Sequence, residues 1–261
     1  MSQKGRTALV IGFGGCIGSA IAVSLAEAGF AVVGTDRSLS DSVKQNMEKI
    51  REISGKDVLF FECDLLNREN IDHLFRTIAS EVPSGIDILV NNAAMTERCP
   101  MEEKTLESWD NEMALNLTAP FMLSKHFAGS MRKKGWGRIM IMSSVAGMLT
   151  FPCTIGYCTS KTALIGLTKA IAVELAPHGV TCNAICPYFV DTPFIQPFLD
   201  SLKEETGQSR EETLENIRNS CPTKTFTTPK QIGDYVVFLC SRAADNMTGL
   251  TTPMDGGYSI V

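Results

Sequence analysis

The sequence predicts an α/β protein built as a single domain over residues 1–261, with a doubly wound parallel seven-stranded sheet covered by helices on both faces. Short runs rich in Val, Ile and Leu recur at about 7–11, 31–35, 57–62, 86–90, 137–143, 180–186 and 249–254, separated by longer stretches with helical periodicity. Runs such as "DILV" and "RIMIM" are apolar without alternation, as strands buried on both faces must be. Glycines cluster directly after the first run, where a strand turns into a helix.

The first run opens "TALVIGFGGCIGSAIAVSLAEAGF". Gly12, Gly14, Gly15 and Gly18, with Cys16 and Ile17 between them, lead into a helix that begins near Ile17. Glycines there permit a tight turn and let backbone N–H groups approach a pyrophosphate at the positive end of the helix, the arrangement of a Rossmann fold. Two registers fit. In Gly-x-x-x-Gly-x-Gly, Cys16 takes the middle glycine slot; in Gly-x-x-Gly-x-x-Gly, Gly12, Gly15 and Gly18 suffice, and Gly15 absorbs the turn with less strain. Cys16 is then a small residue at a helix N-terminus, where the dipole favours a thiolate but plain packing is the simpler reading.

The second run ends "VVGTDR", placing Asp36 where a carboxylate can bind the adenosine ribose hydroxyls and repel a 2'-phosphate. That pattern favours NAD over NADP. Arg37 keeps NADP open, because a guanidinium can accept the phosphate, and Asp36 could also cap the following helix. The third run ends in Cys63, Asp64 and Leu65, and the fourth in "NNAA", with Asn92, Ala93 and Ala94. Small residues at strand ends leave a crevice for adenine and a sugar-phosphate chain. "RKK" at 132–134 reads as a helix C-terminus, where cations complement the dipole.

The fifth run closes in "IMSSVAG", and "YCTSK" opens the next helix. Tyr157 and Lys161 are four residues apart and share a helix face. An ammonium there would stabilise the phenolate and draw the Tyr157 pKa toward neutrality, which suits proton exchange with an alcohol or ketone oxygen. The sixth run is followed by an insertion of about 188–228, rich in Pro, Phe and charge, that reads as one or two amphipathic helices with hinges. It is placed to be a substrate lid over the strand ends, or else a plain surface hairpin. The seventh run precedes the terminal "MDGGYSIV".

Composition narrows the function classes. At 44% hydrophobic the chain can bury a large core, and its net charge of -5 lacks the clustered cations of a nucleic-acid binder. Nine cysteines without a Cys-x-x-Cys pair read as reduced thiols of a cytoplasmic protein. His73, His126 and His178 stand apart, so no metal site is expected. Neither a signal peptide nor a membrane span is indicated.

The glycine loop, "NNAA", "ALNLTAPF", Ser144 and Tyr-x-x-x-Lys together resemble the short-chain dehydrogenase/reductase family over essentially the whole chain. The resemblance implies that Tyr157 is the general acid/base. Lys161 would hold the nicotinamide ribose and tune Tyr157, and Ser144 would bond the reacting oxygen. Asn116 would hold a water linking Lys161 to solvent. Ser143 should face away by strand alternation. It further places Pro187, Val190 and Thr192 near the nicotinamide carboxamide, with Tyr188 replacing the family's glycine, and suggests a homotetramer or homodimer built on helices at about 106–133 and 156–178.

"KKGWGRIMIMSS", "GVTCNAICP", "CPTKTF" and "MTGL...DGGY" look most like the D-3-hydroxybutyrate dehydrogenases of that family. The polar side chains that grip the acid in that group are replaced by Thr96, Ala146, Thr154, Phe189 and Phe198. A site of Ala146, Met148, Leu149, Tyr188, Phe189, Phe194 and Phe198 favours a larger, more apolar secondary alcohol or ketone, unless those aromatics are lid core. The alternatives are a 3-hydroxy acid dehydrogenase, an NADPH-dependent 3-oxoacyl-carrier-protein reductase and a non-catalytic nucleotide-binding module; the last would be expected to lose Tyr157 or Lys161.

Overall fold

A computed structural model describes residues 5–261. One sheet of seven parallel strands organises it, in the order β3-β2-β1-β4-β5-β6-β7. The strands are β1 (Thr7–Ile11), β2 (Ala31–Asp36), β3 (Leu59–Glu62), β4 (Ile88–Asn91), β5 (Gly137–Met142), β6 (Val180–Pro187) and β7 (Thr251–Met254). All seven expected runs are strands. β3 is shorter than expected: Asp57 and Val58 precede it as irregular chain. The chain order turns back between β1 and β4, and that is where a doubly wound sheet opens a crevice at its carboxyl edge.

Strand alternation divides the core. Ala8 and Val10 face one layer, with Ile21 and Leu25 of α1 (Cys16–Glu27), Val43 and Ile50 of α2 (Asp41–Ser54), and Ile232 and Val236 of α9 (Pro229–Leu239). Leu9 and Ile11 face the other, with α3 (Arg68–Glu81), α5 (Ala119–Lys134) and α6 (Ile155–Leu175), through Ile71, Leu123 and Leu164. Each such fully buried Leu or Ile stabilises by roughly 1.5–3 kcal/mol. This two-sided burial explains the uninterrupted apolar strands.

The helix ends follow local chemistry. Helix α5 ends at Lys134 with Arg132 and Lys133 in its last turn, and Gly135 leaves it at φ 66°. Helix α2 is capped by Ser40, whose hydroxyl accepts the Val43 N–H, so Asp36 is not its cap. Between α4 (Leu106–Met113) and α5 the chain widens into one π-helical turn, Ala114–Thr118.

The 188–228 insertion forms α7 (Gln196–Thr206) and α8 (Arg210–Ser220), hinged at Gly207 with φ 71°. It has a small core of its own in Phe189, Leu199 and Leu214, lined by Phe198, Ile217 and Phe226. No helix among the described residues is long and apolar enough to cross a membrane.

Candidate active site

The loop after β1 is shaped by main chain. Gly12, at φ 74°, makes the turn, with its N–H and that of Phe13 donating to the Thr35 carbonyl at 3.0 and 3.1 Å. Gly15 does not absorb the turn: it is the extended N-cap of α1, with φ -74°. Cys16 is the exposed first residue of the helix and needs no positive φ. A Cβ on Gly18 would overlap the Gly12 carbonyl, so the helix meets the loop at backbone contact. Beneath them Phe13 is wholly buried against Gly34, where an added Cβ would come within 2.6 Å of its ring.

Helix α1 has neither a capping side chain nor an acid in its first turn. The N–H groups of Cys16, Ile17 and Gly18 precede its first internal bonds and remain open to an anion. Asp36, at the end of β2, accepts the Gly14 N–H at 2.9 Å and the Arg37 N–H at 2.8 Å, which fixes its carboxylate across the loop. Further along the carboxyl edge, Cys63 donates to the Asp36 carbonyl and Asp64 caps its own turn through Leu66 N–H; Leu65 is buried. Asn92 donates to the Gly12 carbonyl at 3.3 Å, and Ala93 and Ala94 follow it, half-buried. These residues make a cradle of N–H groups with a carboxylate at one end, and the donors fit a dinucleotide.

Across the sheet lie the residues expected at the reacting end. Ser144 follows β5; its hydroxyl donates to the Pro187 carbonyl at 3.4 Å and accepts the Ala146 N–H at 3.1 Å. Ser143 is buried the other way, donating to the Lys161 carbonyl at 2.8 Å. Tyr157 is half-buried in the first turn of α6, within hydrogen-bonding influence of Ser144. Lys161 is 2% exposed, its Nζ donating to the Met142 carbonyl at 2.7 Å and lying 5.4 Å from the Tyr157 ring centre.

Their protonation differs from the sequence expectation. Burial pushes Tyr157 up to about 12, and burial pulls Lys161 down to about 8. The lysine does not draw the phenol toward neutrality here because desolvation outweighs every other influence and Nζ is turned to Met142. Asn116 sits in the π-turn and is fully engaged: Oδ1 accepts the Met95 N–H at 2.9 Å, and Nδ2 donates to the Met95 carbonyl and to Ser160 at 3.1 Å. It therefore pins the chain after β4 to α6.

The expected substrate residues separate into two sets. Thr96 is half-buried on that pinned chain, Ala146 is buried beside Ser144, and Phe194 is 45% exposed with its ring 6.3 Å from that of Tyr157. Phe189 and Phe198, by contrast, pack against each other at 5.9 Å inside the core of the insertion, which assigns them to lid packing. Thr154 spends its hydroxyl on the Phe151 carbonyl and the Cys158 sulfur. Pro187 and Val190 are buried and Thr192 is half-buried at the entry to the insertion.

Tyr188 takes an ordinary backbone conformation, its N–H donating to Met254 at 3.2 Å, so the lost family glycine costs no positive φ. Its ring stacks 3.9 Å from Tyr258 and 6.4 Å from Phe151. Neither Tyr258 nor Phe151 is marked by any local sequence signal. Nor does any local signal mark Arg98: its side chain is 14% exposed, lies over Phe198, and bonds Ser201 at 3.1 Å and Glu205 at 2.9 Å on α7. Among the described residues no cluster of three His, Cys, Asp or Glu side chains is placed to hold a metal ion.

Residues 12–259 match the family model described as enoyl-(acyl carrier protein) reductase. The chain is 32% identical to a D-beta-hydroxybutyrate dehydrogenase of Rhizobium meliloti over 97% of its length and 98% of the relative's. It is 35% identical to a 3-oxoacyl-acyl-carrier-protein reductase of Aquifex aeolicus, with 97% of each chain covered. A crystal structure from Beutenbergia cavernae, provisionally assigned as an NAD(P)-dependent gluconate 5-dehydrogenase and holding NADP at low occupancy, superposes with TM-score 0.87 at 33% identity, covering 98% of both chains.

Proposed function

The chain belongs to the short-chain dehydrogenase/reductase family and acts on CH–OH groups, and from that premise we propose that it interconverts a secondary alcohol and a ketone with NAD, using Ser144, Tyr157, Lys161 and Asn116. The observation that carries this is the convergence of Tyr157, Ser144 and Lys161 at the carboxyl edge of β5, across from the α1 N-terminus.

In oxidation Tyr157, as the phenolate, takes the hydroxyl proton while the carbinol carbon gives up a hydride; in reduction Tyr157, as the phenol, gives its proton to the carbonyl oxygen. The nicotinamide supplies the hydride acceptor or donor. Ser144, already beside the phenol, donates to the same oxygen and holds it in reach. Lys161 is the buried cation next to Tyr157, and its charge favours the phenolate once Nζ leaves Met142. Asn116 holds Met95 and Ser160 in place, and with them the wall that carries Thr96. Val190 and Thr192, at the entry to the insertion, would flank the nicotinamide end.

Asp36 supports NAD: its carboxylate, fixed by the Gly14 N–H at the end of β2, would bind the ribose hydroxyls and repel a 2'-phosphate. Around the reacting centre, Phe194, Ala146, Met148 and Leu149 favour a substrate larger or more apolar than a short hydroxy acid. One observation favours the second reading, a hydroxy acid: the mostly buried Arg98 guanidinium lies on the same wall as Thr96 and could exchange Glu205 for a substrate carboxylate. Turnover of bulky secondary alcohols and of hydroxy acids, each with NAD and NADP and followed by NADH or NADPH absorbance, separates the two. Tyr157→Phe should lower kcat by about 10²- to 10⁴-fold with NADH affinity intact; retained turnover would sink the mechanism.

A further inference from the structure

A buried charge cluster with no part in the chemistry above lies directly behind Tyr157. Glu112, on α4, is 0% exposed. Its Oε1 accepts the Glu97 N–H at 2.8 Å, and its Oε2 is ion-paired with Lys104 Nζ at 2.8 Å. Lys104 is itself 5% exposed; it reaches the Glu97 carboxylate at 3.1 Å and donates to Ser108 at 2.7 Å. A buried ion pair of this kind is poor evidence for stability, since desolvation offsets the attraction. Its position is more telling.

Glu112 Oε2 takes part in no aligned hydrogen bond and lies against Gly156, where any Cβ would overlap it. Gly156 immediately precedes Tyr157 in the first turn of α6. That turn has no cap of its own: Thr154 makes no capping bond, and no acid occurs in the first turn. The carboxylate of Glu112 therefore brings a negative charge beside the first turn of α6, which has none of its own, without bonding its N–H groups. Its partners Glu97 and Lys104 belong to the segment that carries Thr96, so one carboxylate touches both walls of the reacting centre.

We propose that Glu112 is a positioning residue for Tyr157: held by Lys104 and the Glu97 N–H, it sets the first turn of α6 against the 95–104 segment and so fixes the spacing between Tyr157 and Thr96. This rests on the reading of Tyr157 as the acid/base. The ionisable groups facing Tyr157 are Lys161 and Cys158 on α6, Cys186 on β6 and Glu112 on α4, with the Ser144 hydroxyl beside them. Those facing Glu112 are Lys104, Glu97 and, nearby, Cys99. Glu112 is among the charges that hold the phenol up, so neutralising it moves the Tyr157 titration to lower pH.

The test uses NMR of the NADH-bound protein labelled at tyrosine Cζ, where the chain has four tyrosines and Tyr157→Phe identifies the signal. Glu112→Gln should move the Tyr157 signal and lower its titration midpoint, leaving Tyr188, Tyr235, Tyr258 and NADH affinity unchanged. It should also reduce kcat roughly tenfold with KM nearly constant. Gly156→Ala should reduce kcat further, and adding Glu112→Ala to it should restore part of the loss by removing the overlap. Should Glu112→Gln not fold, Glu112→Asp withdraws Oε2 from Gly156 with its charge kept and should still move the signal. An unmoved Tyr157 signal, or a double variant no better than Gly156→Ala, overturns the proposal. Turnover surviving in Tyr157→Phe would instead overturn the acid/base reading and leave the NMR result standing.

Discussion

At the α1 end of the crevice the groups that face a ligand are main-chain N–H groups, shaped by Gly12 and by the backbone contact of Gly18 with the Gly12 carbonyl. At the other end, among Phe151, Tyr188, Phe194 and Tyr258, the surface is made of side chains from three separate parts of the chain. At Gly12 and Gly18 the first region admits almost no variation in residue type, because a side chain there would press on backbone or need a positive φ. The second can change its lining without disturbing the sheet. A family that keeps one cofactor and varies its substrate needs this division.

The sharpest way to break the comparison is to put a side chain where only backbone fits. Gly18→Val should weaken NADH binding by at least about 10³-fold, about 4 kcal/mol, in a fluorescence titration, because the Gly12 carbonyl must move and the open N–H groups move with it. Binding within tenfold of the parent would show that the loop adapts and that main-chain contact does not define this region.

Lys161 stands between the two regions, and its burial gives a stability effect with a defined sign. In the cofactor-free protein it releases its proton near pH 8, against 10.5 in the unfolded chain. Below pH 8 the folded state carries the cost of a buried ammonium; from about 8 to 10.5 the unfolded chain binds more protons, so stability rises with pH. Lys161→Met should therefore be the more stable protein at pH 7, by on the order of 3 kcal/mol, and the gap should narrow toward pH 10.5. Urea unfolding at pH 7 and 10 checks this; a variant less stable at pH 7 would mean that the Met142 bond outweighs the desolvation.

Asp36 tests whether the first region selects its ligand with a side chain as well as with main chain. Asp36→Ser should lower the ratio of kcat/KM with NAD to that with NADP by about 10- to 100-fold, the loss of one or two charge-assisted hydrogen bonds and of the repulsion. An unchanged ratio would shift the selection to Arg37, whose side chain is exposed beside it.

The same division decides what could be read from the chain alone. All seven strands were legible, since two-sided burial leaves continuous apolar runs, and the tight loop after β1 was legible because glycine marks backbone geometry directly. Even there Gly12 rather than Gly15 makes the turn: composition marks the loop, and φ is decided by which carbonyl, here Thr35, the turn must reach. The shared face of Tyr157 and Lys161 follows from helix spacing, and the place of Ser144 beside them from the family resemblance. Their pKa values do not, because desolvation depends on everything packed around them. Tyr258, Phe151, Arg98 and Glu112 were illegible for one reason: each reaches its partner only through a contact distant in sequence.

The aromatic lining supplies the finest test, because two phenylalanines in the same insertion have opposite surroundings. Phe194 is 45% exposed beside Tyr157, while Phe198 packs on Phe189 under Arg98. Phe194→Ala should raise KM for an apolar alcohol by about three- to tenfold, on the order of 1 kcal/mol, and leave the unfolding midpoint in place. Phe198→Ala should do the reverse, lowering the midpoint by a similar free energy with KM nearly unchanged as long as α7 stays docked through Arg98 and Glu205. If both variants raise KM equally, the core of the insertion and the wall of the substrate site are one structure, and the substrate region is as rigidly specified as the glycine loop.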